Sequence, residues 1–306
     1  WLKPLELKPA SLPAAQPARL RPPNLGSSSM AAPLAPAKSC CPAGSWPAVK
    51  PAASYKQQGQ VVTIGELECY VVGQPGAMGT GIIVMYDVFG FKEGSHIRGV
   101  CDELAEAGHY VVMPDFYRGG SIEPYYQAGK ASEGKQWLKQ FNWAYITKHL
   151  EPVHQHLTDK GVHKVGSIGF CWGAWAVAKA CQDPSKVRAG VWCHPSCQVA
   201  RELYEGETEQ ELAGALRAPT LILAASNDTE HYRNGELTKI MAENGVASDA
   251  VLFPDMVHGW VTRGAGVLGK GWAEASTAPE SDSKVQTDVR RALQLAIGWF
   301  AKHLFE

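Results

Sequence analysis

Val165-Gly166-Ser167-Ile168-Gly169-Phe170-Cys171-Trp172-Gly173-Ala174-Trp175-Ala176-Val177-Ala178-Lys179-Ala180 joins an apolar strand pattern to an alanine-rich helix pattern through Gly169-x-Cys171-x-Gly173. A turn this tight needs small residues on both sides and forces its central residue into a strained backbone conformation. Cys171 is therefore expected at the start of a helix. There the first amide N–H groups and the positive end of the helix dipole favour a thiolate and later receive an oxyanion. The same residues also fit a buried core cysteine after a glycine-rich turn, since cysteine is among the most buried residue types.

An elbow of this kind predicts an acid and then a histidine, each at the carboxyl end of a later strand. Ala218-Pro219-Thr220-Leu221-Ile222-Leu223-Ala224-Ala225-Ser226-Asn227-Asp228 is an apolar strand running into a polar turn with Asp228 at its tip. Val251-Leu252-Phe253-Pro254-Asp255-Met256-Val257-His258-Gly259-Trp260 is a short strand, a loop and then His258. An imidazole takes the thiol proton and later protonates the leaving group, while a carboxylate fixes its tautomer. Taken singly, Asp228 reads as a turn-capping residue and His258 as a structural histidine. Their order, spacing and strand-end placement favour a Cys171, Asp228, His258 triad, with Glu230 and Asp255 as the nearest substitutes for the acid.

Outward from the elbow, strands and helices alternate, which points to an α/β architecture: a mostly parallel central sheet with helices on both faces. Val61–Ile64 and Leu67–Val72 suit a leading hairpin. Further strands are expected near Ile82, Val111, Val187–Trp192, Thr220–Ala224 and Ala250–Phe253. Helices are expected over Ser95–Ala107, Trp143–Leu157 and Gly235–Asn244. Val285, Val289, Leu293, Ile297, Phe300 and Leu304 make one apolar stripe on a final helix. The connection from Gly264 to Asp282 reads as a loop beside the site.

Asp87 ends the apolar run Gly81–Tyr86, and Arg118 follows Tyr110–Met113 and a Pro-Asp turn, so both belong to the sheet edge where ligands of open parallel sheets collect. A guanidinium is a planar donor fork suited to a carboxylate. A surface salt bridge with Asp115 is the alternative for Arg118, and a helix cap near Gly94 is the alternative for Asp87.

From about Val61 onward the chain resembles the dienelactone hydrolases, carboxymethylenebutenolidase-like members of the α/β-hydrolase fold. The resemblance rests on Asp87-Val88-Phe89-Gly90, Pro114-Asp115-Phe116-Tyr117-Arg118, the cysteine elbow, Asp228 and His258-Gly259-Trp260 with Arg263 shortly after. It implies a Cys171, Asp228, His258 triad and an oxyanion hole made by the Val88 and Trp172 amides. It also implies that Arg118 and Arg263 hold a substrate carboxylate. Bacterial members place a thiol-activating glutamate where this chain has Asp87, one methylene shorter. The activity implied is cleavage of a small ester or lactone, carboxylate-bearing, through an acyl-cysteine intermediate and without metal or organic cofactor. Two other readings stay open: a non-catalytic, redox-sensitive or partner-binding member of the fold, and glucan hydrolysis as in some plant and fungal relatives, whose usual chemistry needs two facing carboxylates.

Composition narrows the partners. The 306 residues are 45% apolar with a formal net charge of −1, which can bury a sizeable core and offers no basic face for nucleic acid. No apolar run approaches the roughly 20 residues of a membrane helix. A small-molecule ester or lactone is the expected partner, of a monomer or homodimer. Cys69, Cys101, Cys181, Cys193 and Cys197 lie in strand or helix patterns and suit reduced thiols in the cytoplasm. A metal or redox site at Cys193, His194 and Cys197 lacks a second ligand pair.

Residues 1–54 differ from everything after them, with proline, alanine and serine dominant and Glu6 the only acid. Such a segment is expected to be a disordered extension, with the folded domain over 55–306. Being acid-poor, it reads as a chloroplast or mitochondrial transit segment or as an extension ahead of a start at Met30. The adjacent Cys40 and Cys41 read as incidental, although a vicinal thiol pair in a mobile segment is easily oxidised.

Overall fold

The computed structural model describes residues 41–46, 55–91, 96–263 and 280–305, the side chains of 280–283 excepted. Its centre is an eight-stranded sheet in the order β1-β2-β4-β3-β5-β6-β7-β8. The strands are β1 Gln60–Ile64, β2 Leu67–Val72, β3 Thr80–Met85, β4 Tyr110–Pro114, β5 Lys164–Phe170, β6 Ala189–Cys193, β7 Thr220–Ala225 and β8 Ser248–Phe253. β1 and β2 form an antiparallel hairpin, and β2 pairs antiparallel with β4. Every other pairing is parallel, so β3 to β8 all present their carboxyl ends at one edge. β3, β4, β6 and β7 are buried along their whole length. That is why they read as continuous apolar runs rather than as alternating strands.

The helices over the sheet are α1 Ile97–Glu106, α2 Glu123–Gln127, α3 Ala131–Leu138, α4 Trp143–Asp159, α5 Trp172–Ala180, α6 Val199–Tyr204, α7 Glu209–Ala215, α8 Glu236–Glu243, α9 Trp260–Arg263 and α10 Glu280–Leu304. α4 begins where the Asn142 side chain accepts the Tyr145 N–H at 3.0 Å, a cap typically worth about 1 kcal/mol. The stripe of α10 packs on the sheet, with Val289, Phe300 and Leu304 fully buried. Against Phe300 stands Gly166 of β5, where a Cβ would overlap the phenyl ring. None of the described helices is long and apolar enough to cross a membrane.

The expected alternation is present, and α2, α3, α6 and α7 add short helices that the apolar pattern does not reveal. The expected Gly264–Asp282 loop is corrected at its end, where Glu280 to Asp282 open α10; residues 264–279 lie outside the described residues. A larger correction concerns the extension. Residues 41–46 lie against the carboxyl edge of the sheet, so these residues do not belong to a detached tail. The disorder expected for 1–40 and 47–54 falls outside the described residues.

Candidate active site

The elbow has the geometry its glycines require. Cys171 sits at φ 54° and ψ −115°, a region that costs a non-glycine residue about 1–3 kcal/mol and persists only where the surroundings hold it. They do so on both sides: Cys171 N–H donates to Cys193 O at 3.1 Å, and Cys171 O accepts from Ser196 N–H at 3.0 Å and Ala174 N–H at 3.1 Å. A Cβ on Gly169 would collide with the Gly173 backbone, and one on Gly173 would collide with the carbonyls of Met85 and Tyr86. This close approach brings the first turn of α5, with Trp172 N–H at its head, against the end of β3 that leads into Val88.

β7 and β8 deliver Asp228 and His258. Asp228 Oδ2 accepts Ala225 N–H at 2.7 Å, leaving Oδ1 to meet His258 Nδ1 at 2.6 Å, with both side chains fully buried. Asn227 Oδ1 accepts His258 N–H at 2.6 Å, so adjacent residues fix the histidine's backbone and its ring. A ring nitrogen of His258 and the sulfurs of Cys171 and Cys41 all lie within 4.8 Å of one another. With Nδ1 held by Asp228, Nε2 is the nitrogen available to sulfur. Burial opposes a charged imidazole here, but the Asp228 carboxylate and its hydrogen bond, with Cys41 adding to them, outweigh it and raise His258 to about 9. Glu230 and Asp255 take no part: Asp255 pairs with Lys284 at 3.1 Å, and Glu230 is exposed in a short 3-10 turn.

Asp87 reaches an arginine. Its Oδ1 accepts Phe89 N–H at 2.9 Å, and its Oδ2 accepts Thr262 Oγ1–H at 2.9 Å and pairs with Arg263 Nε at 3.2 Å. The expected helix cap is not its role, since no side chain caps the start of α1, and Gly94 lies outside the described residues. Arg263 is buried, lies over the Phe89 ring at 4.8 Å, and folds so closely over Gly259 (φ 91°) that any Cβ there would strike the guanidinium. Burial opposes its charge, yet the Asp87 carboxylate first, and the thiols of Cys41 and Cys171 after it, hold the cation more firmly. Its Nη2 has no hydrogen-bond acceptor among the described residues.

Arg118 is the expected site residue that does not join this cluster. Its Nη2 pairs with Glu66 Oε2 at 2.9 Å, its Nη1 donates to Glu66 O at 3.1 Å and its Nε to Tyr145 Oη at 3.3 Å, with the side chain 49% exposed. Arg118 thus takes part in a surface ion pair, with Glu66 in place of Asp115. Asp115 is occupied elsewhere, accepting from Gly119 N–H at 2.5 Å and from Tyr86 Oη–H at 3.1 Å.

Three groups not expected beside Cys171 and His258 surround them. Ser196 Oγ lies 3.5 Å from Cys171 Sγ. The His194 ring, buried at φ 37°, meets that of His258 edge-on at 5.0 Å. Burial first, and then the charges of His258 and Arg263, push its pKa well below the ordinary value, so it stays neutral. The third is the strap of residues 41–46: Trp46 N–H donates to His258 O at 2.9 Å, Arg263 Nη1 to Trp46 O at 2.6 Å, and Asn227 Nδ2 to Ala43 O at 2.9 Å. Cys41 Sγ then lies 3.9 Å from Cys171 Sγ. Trp172 and Trp175 are core residues, packed with Tyr117 and Tyr204. A hollow of about 600 Å³ beside Thr238, Ala247, Trp299 and Lys302 contains none of these groups.

With the site assembled, comparison with known proteins decides the family, since the dienelactone hydrolase family pattern matches residues 67–304. The chain belongs to the dienelactone hydrolase family. This is a family of hydrolases acting on ester and lactone bonds, built on the α/β-hydrolase fold. The carboxymethylenebutenolidase homolog of Rattus norvegicus is 31% identical over 175 residues, 57% of this chain and 66% of its own length. An endo-1,3;1,4-beta-D-glucanase of Zea mays is 27% identical over 165 residues, 54% of this chain and 48% of its own. Among solved structures, a dienelactone hydrolase described as putative, from Klebsiella pneumoniae, shares the fold with a TM-score of 0.58 and 20% identity, covering 79% of this chain and 98% of that one.

The site residues missed by sequence reasoning fall into two kinds. Ser196 and His194 follow β6 by only a few positions, so a rule that collects polar residues after each parallel strand would have found them. Cys41 has no such signal, because 130 positions separate it from Cys171 and only packing brings the two together.

Proposed function

We propose that the protein hydrolyses a small, carboxylate-bearing ester or lactone through an acyl-cysteine intermediate, with Cys171 as nucleophile, His258 as acid and base and Asp228 as its orienter. The observation that carries this reading is His258, bound to Asp228 at 2.6 Å through Nδ1 while its ring lies within 4.8 Å of the elbow sulfur. The imidazolium favoured by Asp228 stabilises a thiolate at Cys171, which attacks the acyl carbon. The N–H groups of Trp172 and Val88 receive the oxyanion. His258 hands its proton to the departing alkoxide, leaving a thioester and an alcohol. A water molecule, deprotonated by His258, attacks the thioester; carboxylate leaves and the thiolate–imidazolium pair returns. In a lactone the alcohol stays tethered to the acyl group throughout, and the second step releases a single hydroxy acid.

Arg263 is the carboxylate anchor in this scheme, because its buried Nη2 lacks an acceptor among the described residues. Asp87 serves by holding Arg263 in place. The similarity to the maize glucanase does not shift the reading, since Asp87 is bound to Arg263 and Asp228 to His258, which leaves neither as one of two facing acids. Acid-quenching the enzyme during turnover of an activated ester should trap the acyl group on the Cys171 peptide by mass spectrometry. Turnover that persists in Cys171→Ala, or an acyl group found on another residue, would sink the mechanism.

A further inference from the structure

Cys41 lies beside Cys171, on a strap fastened to the loops that carry Asn227, His258 and Arg263. The strap bonds to Asn227, to the His258 carbonyl and to the Arg263 guanidinium. Its thiol is 3.9 Å from the Cys171 thiol and within 4.8 Å of the His258 ring, which is a pairing of two sulfurs beside two cationic groups. No other described thiol shares this setting. Cys69, Cys101, Cys181, Cys193 and Cys197 are buried, and burial pushes each thiol up, away from the reactive thiolate.

We propose that Cys41 is the resolving thiol of Cys171, so that a hydroperoxide converts the pair into a disulfide that seals the active site reversibly. The inference rests on the reading of Cys171 as the reactive thiol. In the first step the Cys171 thiolate attacks the terminal peroxide oxygen and the O–O bond breaks; sulfur is oxidised to the sulfenic acid, and the departing hydroxide or alkoxide takes the His258 proton and leaves as water or an alcohol, so that His258 becomes neutral. In the second step the Cys41 sulfur, deprotonated by His258, displaces hydroxide from the sulfenic sulfur, which leaves as water with that proton. An S–S bond of about 2.05 Å requires the two sulfurs to close from their 3.9 Å separation. Cys41 precedes the anchored Ala43 and Trp46 and is only half-buried, so the approach falls on its side chain rather than on the rigid elbow.

This arrangement does two things at once. The disulfide occupies the nucleophile and holds the strap across it, which stops hydrolysis. It also spares Cys171 from sulfinic acid, from which dithiols do not recover it. Reduction by a dithiol restores both thiols and lets the strap yield to substrate.

The test uses the full chain, reduced, desalted into a chelator-containing buffer and treated with stepwise hydrogen peroxide. Expected are loss of two hydrogen masses, a Cys41–Cys171 cross-linked peptide, and loss of ester turnover restored by dithiothreitol. The Cys41→Ser protein, under the same dose, should gain oxygen on Cys171 and stay inactive after dithiothreitol, each measured against its own untreated rate. The proposal is overturned if Cys171 pairs with the neighbouring Cys40, if no cross-link forms, or if Cys41→Ser recovers as fully as the parent. Inhibition relieved by chelator without mass loss would also overturn it, assigning the cluster of Cys41, Cys171 and His258 to a soft metal ion instead. A cross-link in a protein whose reduced form lacks ester turnover supports this inference while sinking the proposed function. Turnover that needs Cys171 without any cross-link does the reverse.

Discussion

Two ionic clusters in this molecule use the same residue types to different ends. At the sheet edge, Asp228 with His258 and Asp87 with Arg263 are pairs sealed from solvent. On the surface, Glu66 gathers Arg118 at 2.9 Å and Lys148 at 2.8 Å, with all three side chains about half exposed or more. Water screens the second cluster and competes for its hydrogen bonds, so it is worth little. In the first, each charge depends on its partner, because removing one leaves the other desolvated and alone. The difference teaches that a guanidinium near a strand end acquires a role through burial and a fixed counter-ion, rather than through its place in the chain.

The sharpest way to break the comparison is Asp228→Asn. It keeps the shape but forfeits the charge that sustains the imidazolium, and a loss of roughly 100- to 10,000-fold in kcat is expected, the range of general acid–base catalysis. The same change alters the pH profile. His258 titrates in the folded protein at about 9, above its ordinary 6.5, so its stabilising contribution is complete below pH 6.5 and is lost as pH rises toward 9. The parent should lose stability over that interval and turnover only as pH passes about 9, while Asp228→Asn should shift the alkaline limb toward neutral pH. A limb that does not move on this substitution would dissociate it from His258.

Asp87→Ala should come next, leaving the buried Arg263 charge uncompensated at a cost of about 3–5 kcal/mol. At about 2–4 °C per kcal/mol for a domain of this size, calorimetry should register a fall in Tm on the order of 10 °C. A Tm unchanged within error would mean that the guanidinium finds another counter-ion or water.

The smallest effect is expected at the surface cluster, and it sharpens the contrast between the two arginines. Arg263→Lys retains charge but loses the planar fork, so KM should rise by about ten-fold for carboxylate-bearing lactones and much less for neutral esters. Arg118→Ala should leave Tm and both KM values near those of the parent. If Arg118→Ala selectively weakens acidic substrates, the surface pair opens on binding and Arg118 regains the anchoring role that its resemblance implied.

Much of the site was legible before any coordinates. The strained elbow around Cys171, the strand ends carrying Asp228 and His258, and the alternation that makes a parallel sheet are local patterns, each set by steric or hydrophobic rules acting over a few residues. Parallel pairing then carries the strand ends to one edge, so chain order alone places acid and base near the thiol. Pairing between distant side chains follows other rules. Nothing in the residues around Asp87 and Arg118 distinguishes the one that turns inward to Arg263 from the one that turns outward to Glu66, because that choice depends on which surface each loop is packed against. Cys41 shows the same limit most plainly: its neighbours are proline and alanine, without periodicity, and read as an unstructured tail. Hydrogen bonds with Asn227, His258 and Arg263 hold that strap beside Cys171, and those donors and acceptors come together once β7, β8 and α9 are in place.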